Sequence, residues 1–257
     1  MFTCPTILLP IVQVLRTSSV ARISISSYIN IDKTIFAAPY IHICGMKDPN
    51  LDDCIIKSVD GLAKKLAVGI PELNVPPTDP MLIGDMTLID TANFKATGSD
   101  VTLSGLLTYH INSLHLDLEK RQVDIDLNLA EAKIDGNYNI SARILIPING
   151  RGPLTFSNSW RCIKMLYNLV EHAGKHYIYF SSMTTHLDVK DYTIKYEPEN
   201  FDETLRDAFR EAVGHNNREI LEMTRPNLET AISQRCLEIS NKICKHFSYE
   251  QLLPDRE

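Results

Sequence analysis

The side chains with reactive potential are few and poorly grouped. Six cysteines occur in the chain, and Cys44 and Cys54 stand ten residues apart. None forms a CxxC or any paired spacing that would hold a metal ion. Left to themselves, Cys44 and Cys54 could also be two unpaired thiols, with Cys54 buried on an apolar helix face. His172 and His176 share a turn, but two imidazoles without a further ligand make a poor metal site. Asp124 and Asp126 alternate with apolar residues, which directs both carboxylates to water rather than to acid–base chemistry. No GxSxG, HExxH, P-loop or well-placed GxGxxG is present. These residues predict no enzyme, no metal and no cofactor. Asn139-Ile140-Ser141 is the only N-glycosylation sequon, and Asn139 falls in the outward phase of its strand.

What the sequence does carry is apolar patterning. The chain has 257 residues, 44% hydrophobic and 23% charged, ordinary globular values with ample surface to bury. Its net charge is −6, from 26 basic and 32 acidic residues. With no dense Lys/Arg stripe, nucleic acid is not expected as a partner. No run approaches the roughly 18 apolar residues of a membrane span, so stable membrane insertion is not expected.

Residues 1–36 are ambiguous. Residues 6–15 (TILLPIVQVL) have the length of a signal-peptide core, and Ser19-Val20-Ala21 offers small residues where a signal peptidase reads. No Lys or Arg precedes the run, and Arg16 sits in the supposed cleavage region. The segment reads either as a signal peptide followed by an irregular extension or as an irregular extension throughout.

The elements that position the apolar residues follow. Residues 48–68 predict an amphipathic helix, with Leu51, Cys54, Ile55, Val59, Leu62 and Leu66 on one face. Gly69 is a left-handed cap, and Pro71 opens an extended Pro-rich connector over 69–80. Strands are expected over 81–89, 93–97, 101–118 and 121–148. In the last of these the apolar phase shifts from odd positions (Val123 to Leu129) to even ones (Ile134, Tyr138, Ile140, Ile144). A shift without a Gly/Pro turn predicts a β-bulge and a sharp bend at 130–132. Strands over 154–170 and 175–196 are joined by a hairpin turn at 171–174. Helical period returns beyond Pro198, with Leu221, Leu228, Ile232, Ile239 and Ile243 on one face and Pro226 expected to kink or restart the helix. The order is α+β rather than alternating βαβ.

Several segments together resemble the takeout/juvenile-hormone-binding protein family of insects. They are the cysteine pair around a "DPNL" helix start (residues 44–54) and the "GIPEL" connector leading to Pro77-Thr78-Asp79-Pro80. Gly136-Asn137-Tyr138-Asn139-Ile140 and residues 147–153 follow, and the ending over 247–254 is similar to "PYDELFP". The resemblance covers about residues 38–254 as one domain. It departs at Asn216-Asn217, where the family often has Asn-Trp and this chain continues with Arg218.

The resemblance implies a long C-terminal α-helix wrapped by a highly curved antiparallel β-sheet, a super-roll with an internal hydrophobic tunnel. It implies a Cys44–Cys54 disulfide, and a further Cys162–Cys236 bridge is an alternative to free buried thiols. It implies a secreted, extracellular, monomeric carrier of a lipophilic small molecule such as juvenile hormone, a fatty acid or a related terpenoid. The lining candidates are Leu62, Leu66, Ile70, Tyr138, Ile140, Ile144, Leu228 and Ile232; each could equally be plain core. An extracellular interaction or signalling protein with a closed core and no ligand is the competing reading.

Overall fold

The computed structural model describes residues 40–92, 94–142, 148–151, 154–195, 197–199 and 201–256. Helix α1 (Leu51–Val68) begins after Asn50, with Asp52 and Asp53 in its first turn, where carboxylates complement the helix dipole. It stops at Gly69, whose φ of 89° and ψ of 159° are not the expected αL cap but a conformation only glycine adopts readily. A Cβ there would lie 2.9 Å from Pro77 N and 3.0 Å from Val75 O. The connector is not extended as the sequence suggested. Pro71 pre-sets φ for a 3₁₀ turn over Pro71–Leu73, Asn74 turns left-handed, and Ile70 and Val75 exchange both backbone hydrogen bonds. That tight turn drives Ile70, Leu73 and Val75 into the core together.

The strands are β1 (Met81–Asp90), β2 (Phe94–Ser104), β3 (Tyr109–Asp117), β4 (Gln122–Ala142), β5 (Ile148–Arg151), β6 (Leu154–His172), β7 (Lys175–Ile194) and β8 (Glu197–Pro198). They form one antiparallel sheet organised around β4. One flank of β4 pairs first with β3, as far as Leu129, and then with β2, from Lys133 onward. The other flank pairs with β6 and then β5. Between Leu129 and Ala132 the register with β6 shifts, with Ala130 and Glu131 facing Ser157. This is the bulge that the phase shift predicts: Leu129 is buried before it, and Ala132, Ile134, Tyr138 and Ile140 after it.

The expected strand over 101–118 is broken at this corner. Gly105 takes φ 87°, and Leu106–Thr108 form a 3₁₀ turn. A Cβ on Gly105 would lie 2.3 Å from Glu131 O, so only glycine lets the two backbones approach. The Asp79 carboxylate accepts from Gly105 N (2.9 Å) and Leu107 N (3.2 Å), and Thr108 Oγ1 accepts from Glu131 N. Residues 143–147, which end the expected 121–148 strand, lie outside the described residues. The β6–β7 hairpin closes through Ala173 and Gly174, both at positive φ, as a two-residue primed turn requires.

Helix α2 (Glu203–Cys244) runs 42 residues, about 63 Å at 1.5 Å per residue. It starts at Asp202, whose carboxylate accepts from Leu205 N. It passes through Pro226 without restarting. A helix-interior proline costs about 3 kcal/mol, but Leu221, Thr224, Leu228 and Ile232 are buried on both sides of it, and this packing outweighs the lost hydrogen bond. Toward the start of α2, Leu205 and Ala208 are exposed, and Phe209 is half-buried. Helix α2 packs against β7 and against β1, which lie at opposite sides of the sheet. Only a strongly curled sheet can bring both to one helix. The four-residue α3 (Tyr249–Leu252), with its capping box at Ser248, seats against β7. Among the described residues no helix is long and apolar enough to cross a membrane.

Candidate ligand-binding interior

The apolar interior falls into two clusters. The larger gathers Ile70, Leu73 and Val75 from the connector, Met81, Val101, Leu103, Leu129, Ala132, Ile134, Ile163, Met165 and Leu187 from the strands, Leu228, Ile232 and Ile239 from α2, and Phe247. Leu73 and Leu103 are fully buried, and Phe247 and Ile232 are 1% exposed. The smaller contains Ile89, Ala96, Tyr138 and Ile140, with half-buried Leu88, Phe94, Phe201, Phe209 and Ile220 packed against it. Phe201 and Phe209 meet edge to face at 5.8 Å. The bend in β4 separates the two, because it places Leu129 to Ile134 in one and Tyr138 and Ile140 in the other.

The sequence-derived lining residues divide along the same boundary. Ile70, Leu228 and Ile232 belong to the larger cluster, with Leu62 and Leu66 of α1 packed against it. Tyr138 and Ile140 belong to the smaller one, each 9% exposed. Ile144 lies outside the described residues. The pattern missed Leu73, Met81, Leu103 and Phe247. For Leu73 the available signal was the connector's apolar spacing around Pro71, and for Phe247 its place just beyond the helical stripe.

The helix is also tied to the sheet by polar side chains on its inner face. The Asn241 side chain accepts from Phe180 N (2.8 Å) and donates to Phe180 O (2.9 Å). Glu229 accepts from Leu187 N (2.9 Å), and Ser233 Oγ donates to Thr185 Oγ1 at a buried contact. On the β1 side Asn227 Nδ2 donates to Leu88 O (3.0 Å). The Asn241, Glu229 and Asn227 bonds satisfy backbone groups that the curled sheet leaves without a strand partner.

One end of the interior is closed covalently. Cys44 and Cys54 form a disulfide, as the resemblance implied. The loop around it pairs with the C-terminal tail through Met46 N to Pro254 O (2.8 Å), Lys47 N to Arg256 O (3.0 Å) and a Lys47–Asp255 ion pair. The proposed Cys162–Cys236 bridge is not formed. Cys236 and Cys244 are free, and burial pushes both thiols up to about 12, which leaves them unreactive near neutral pH. His42 lies beside Cys44 and Cys54, but the disulfide removes the thiolates a metal would need. His176 pairs with Glu250 (3.0 Å), and among the described residues neither it nor His172 joins a ligand cluster.

Helix α1 is anchored to β3 by two carboxylates. Asp52 accepts from Leu116 N and meets His115 Nδ1, both at 2.9 Å. Asp60 accepts from the Tyr109 hydroxyl at 2.8 Å. The Asp52 hydrogen bond raises the His115 pKa, and the Asp117 and Asp124 carboxylates add to that. Burial, with help from Asp60, raises the Tyr109 pKa. Asn139 is exposed on β4, as the strand phase required.

This arrangement of disulfide, connector, bent strand and wrapped helix has known counterparts. Residues 24–254 match the haemolymph juvenile hormone binding protein family. The chain belongs to that family. It is 24% identical over 221 residues to a putative beta-carotene-binding protein of Schistocerca gregaria, covering 81% of this chain and 86% of the relative. Its fold is similar to the crystal structure of Takeout 1 from Epiphyas postvittana, with a TM-score of 0.68 and 20% identity over 83% of this chain and 100% of the other. The juvenile hormone binding fold is thus the curved antiparallel sheet and C-terminal helix described above.

Proposed function

We propose that this protein is a secreted, monomeric carrier that holds one lipophilic small molecule between α2 and the curled sheet, and that it catalyses nothing. The observation that carries the reading is the elongated apolar face of α2. Leu221, Leu228, Ile232 and Ile239 are buried along about 27 Å of helix, a length matched to an extended lipid rather than a compact polar metabolite. Each methylene removed from water contributes about 0.8 kcal/mol, so ten of them offset the ordering costs of association. The family, and a relative named for binding a carotenoid, support a ligand of the terpenoid, juvenile-hormone or fatty-acid type. The Cys44–Cys54 disulfide supports an oxidising, extracellular setting, in which Asn139 is available as a glycosylation acceptor.

On this reading Tyr138 and Ile140 line the receiving end of an internal tunnel, while Leu62, Leu66, Ile70, Leu228 and Ile232 line its packed end. Titration with an anilinonaphthalene probe tests it. The expected result is saturable binding of one probe per chain, displaced stoichiometrically by a long-chain terpenoid or lipid. A labelled terpenoid ester should be recovered unchanged after prolonged incubation. Failure to bind probe or lipid would favour the closed-core signalling protein, and ester hydrolysis would favour an enzyme.

A further inference from the structure

A cleft of about 270 Å³ lies between β1 and α2, and its lining includes Ile83, Asp85 and Met86 on the strand and Asn227, Arg235 and Glu238 on the helix. Its place in the fold is specific. Among the described strands β1 pairs with β2 alone, and its other edge turns toward α2. Three register irregularities bend β1 along the cleft. Ile83 and Met86 at its floor pack on the larger apolar cluster, while the next residues of the strand, Leu88 and Ile89, belong to the smaller one. Asn227 closes the cleft toward the smaller cluster by donating to Leu88 O. The cleft is therefore a polar opening at the junction of the two apolar clusters.

Its chemistry is selective. Arg235 Nη1 is held by Glu238 at 2.7 Å, but Arg235 Nε is buried and meets no acceptor among the described residues. A buried guanidinium N–H without an acceptor is costly, and an incoming oxygen would relieve that cost. The charges decide which oxygen. Asp85 and Glu238 outnumber Arg235, so a carboxylate or phosphate arriving here would meet excess negative charge. A neutral oxygen would not.

We infer that the β1–α2 cleft is the headgroup site of the bound lipid and selects a neutral oxygen-bearing end, a hydroxyl, ester or ketone, over a carboxylate, with Arg235 as donor and Asp85 as the discriminating charge. The inference rests on the carrier reading and names the ligand class for it.

The test displaces the anilinonaphthalene probe with hexadecanol, methyl palmitate, palmitate and hexadecane. The wild-type protein should take hexadecanol and methyl palmitate in preference to palmitate. Arg235→Met should weaken hexadecanol roughly tenfold, the order expected for one hydrogen bond to a charged donor, and leave hexadecane unchanged. Asp85→Asn, at an exposed position, should improve palmitate several-fold relative to hexadecanol. A wild-type preference for palmitate, equal losses for hexadecane and hexadecanol in Arg235→Met, or an unchanged ranking in Asp85→Asn would overturn the headgroup site. If all four ligands displace the probe but hexadecanol and palmitate ignore these substitutions, only the headgroup site falls. If nothing displaces the probe, or the probe itself does not bind, the carrier reading falls with it.

Discussion

The two apolar clusters of this molecule are built differently. The larger draws side chains from the connector, most of the long strands, α2 and Phe247, and the disulfide loop and C-terminal tail close over its end of the chain. The smaller draws its buried members from β1, β2 and β4 alone, and the phenyl rings around it remain half exposed. A phenyl ring left at a cluster's edge is apolar surface that folding has not removed from water. The first cluster is closely packed; the second keeps apolar surface at its edge, which on the carrier reading is offered to a ligand. The apolar residues of β4 therefore serve two different clusters along the length of one strand.

The comparison can be broken most forcefully in the larger cluster. Phe247→Ala should cost about 3–5 kcal/mol, read as a lowered midpoint in urea unfolding, because its ring is almost completely enclosed. A loss near zero would show that this end is not the structural one. Replacing Cys44 and Cys54 by serine should cost about 2–3 kcal/mol, the loop-closure value for a loop of this size. At least that loss should appear when the wild-type protein is unfolded under reducing conditions, where the free thiols of Cys236 and Cys244 add nothing.

In the smaller cluster the balance should reverse. Ile140→Ala should cost about 2 kcal/mol, the low end for such a truncation, because the neighbouring rings already border solvent. Ile140→Trp should leave the unfolding midpoint nearly unchanged and abolish most probe binding by filling the receiving end. If Ile140→Trp instead unfolds the protein while keeping the probe, the two clusters have been assigned the wrong way round.

The smallest effect concerns the anchoring of α1. The His115 pKa is raised in the fold by Asp52. The stability this pair contributes is therefore fully present below the ordinary histidine value of about 6.5 and is lost as pH rises through the raised value. The melting-temperature difference between wild type and His115→Ala should be largest near pH 5.5 and vanish by pH 8.5. Both groups are solvent-exposed, so the effect should be about a degree and sensitive to salt.

Much of the fold was legible because its longest elements obey one period at a time. Helix α1 shows its apolar face over eighteen residues. The bend in β4 is written as the move of apolar residues from odd to even positions, which is how a bulge must register in a sequence. Shorter features escaped for physical reasons. The connector buries Ile70, Leu73 and Val75 within one tight turn, too short to display any period. The break at Gly105 depends on the close approach of Glu131, a partner twenty-six positions away in the chain. Pro226 obeys a local rule that packing overrides. Asn241 and Glu229 look like solvent-facing positions and instead complete the backbone of β7, while Ser233 bonds the Thr185 hydroxyl. Of the lining candidates, Ile70, Tyr138, Ile140, Leu228 and Ile232 are buried, but the pattern could not divide them between two clusters, because that division follows from where β4 bends in space.

On the carrier reading the interior is shared between a packed core and a bound lipid. Native mass spectrometry of the protein purified from its own source, followed by solvent extraction, tests it most directly. The expected result is a complex one neutral lipid heavier than the polypeptide, which returns to the bare mass after extraction. A chain that carries no adduct before extraction, and takes up none when offered long-chain alcohols or esters, would contradict it.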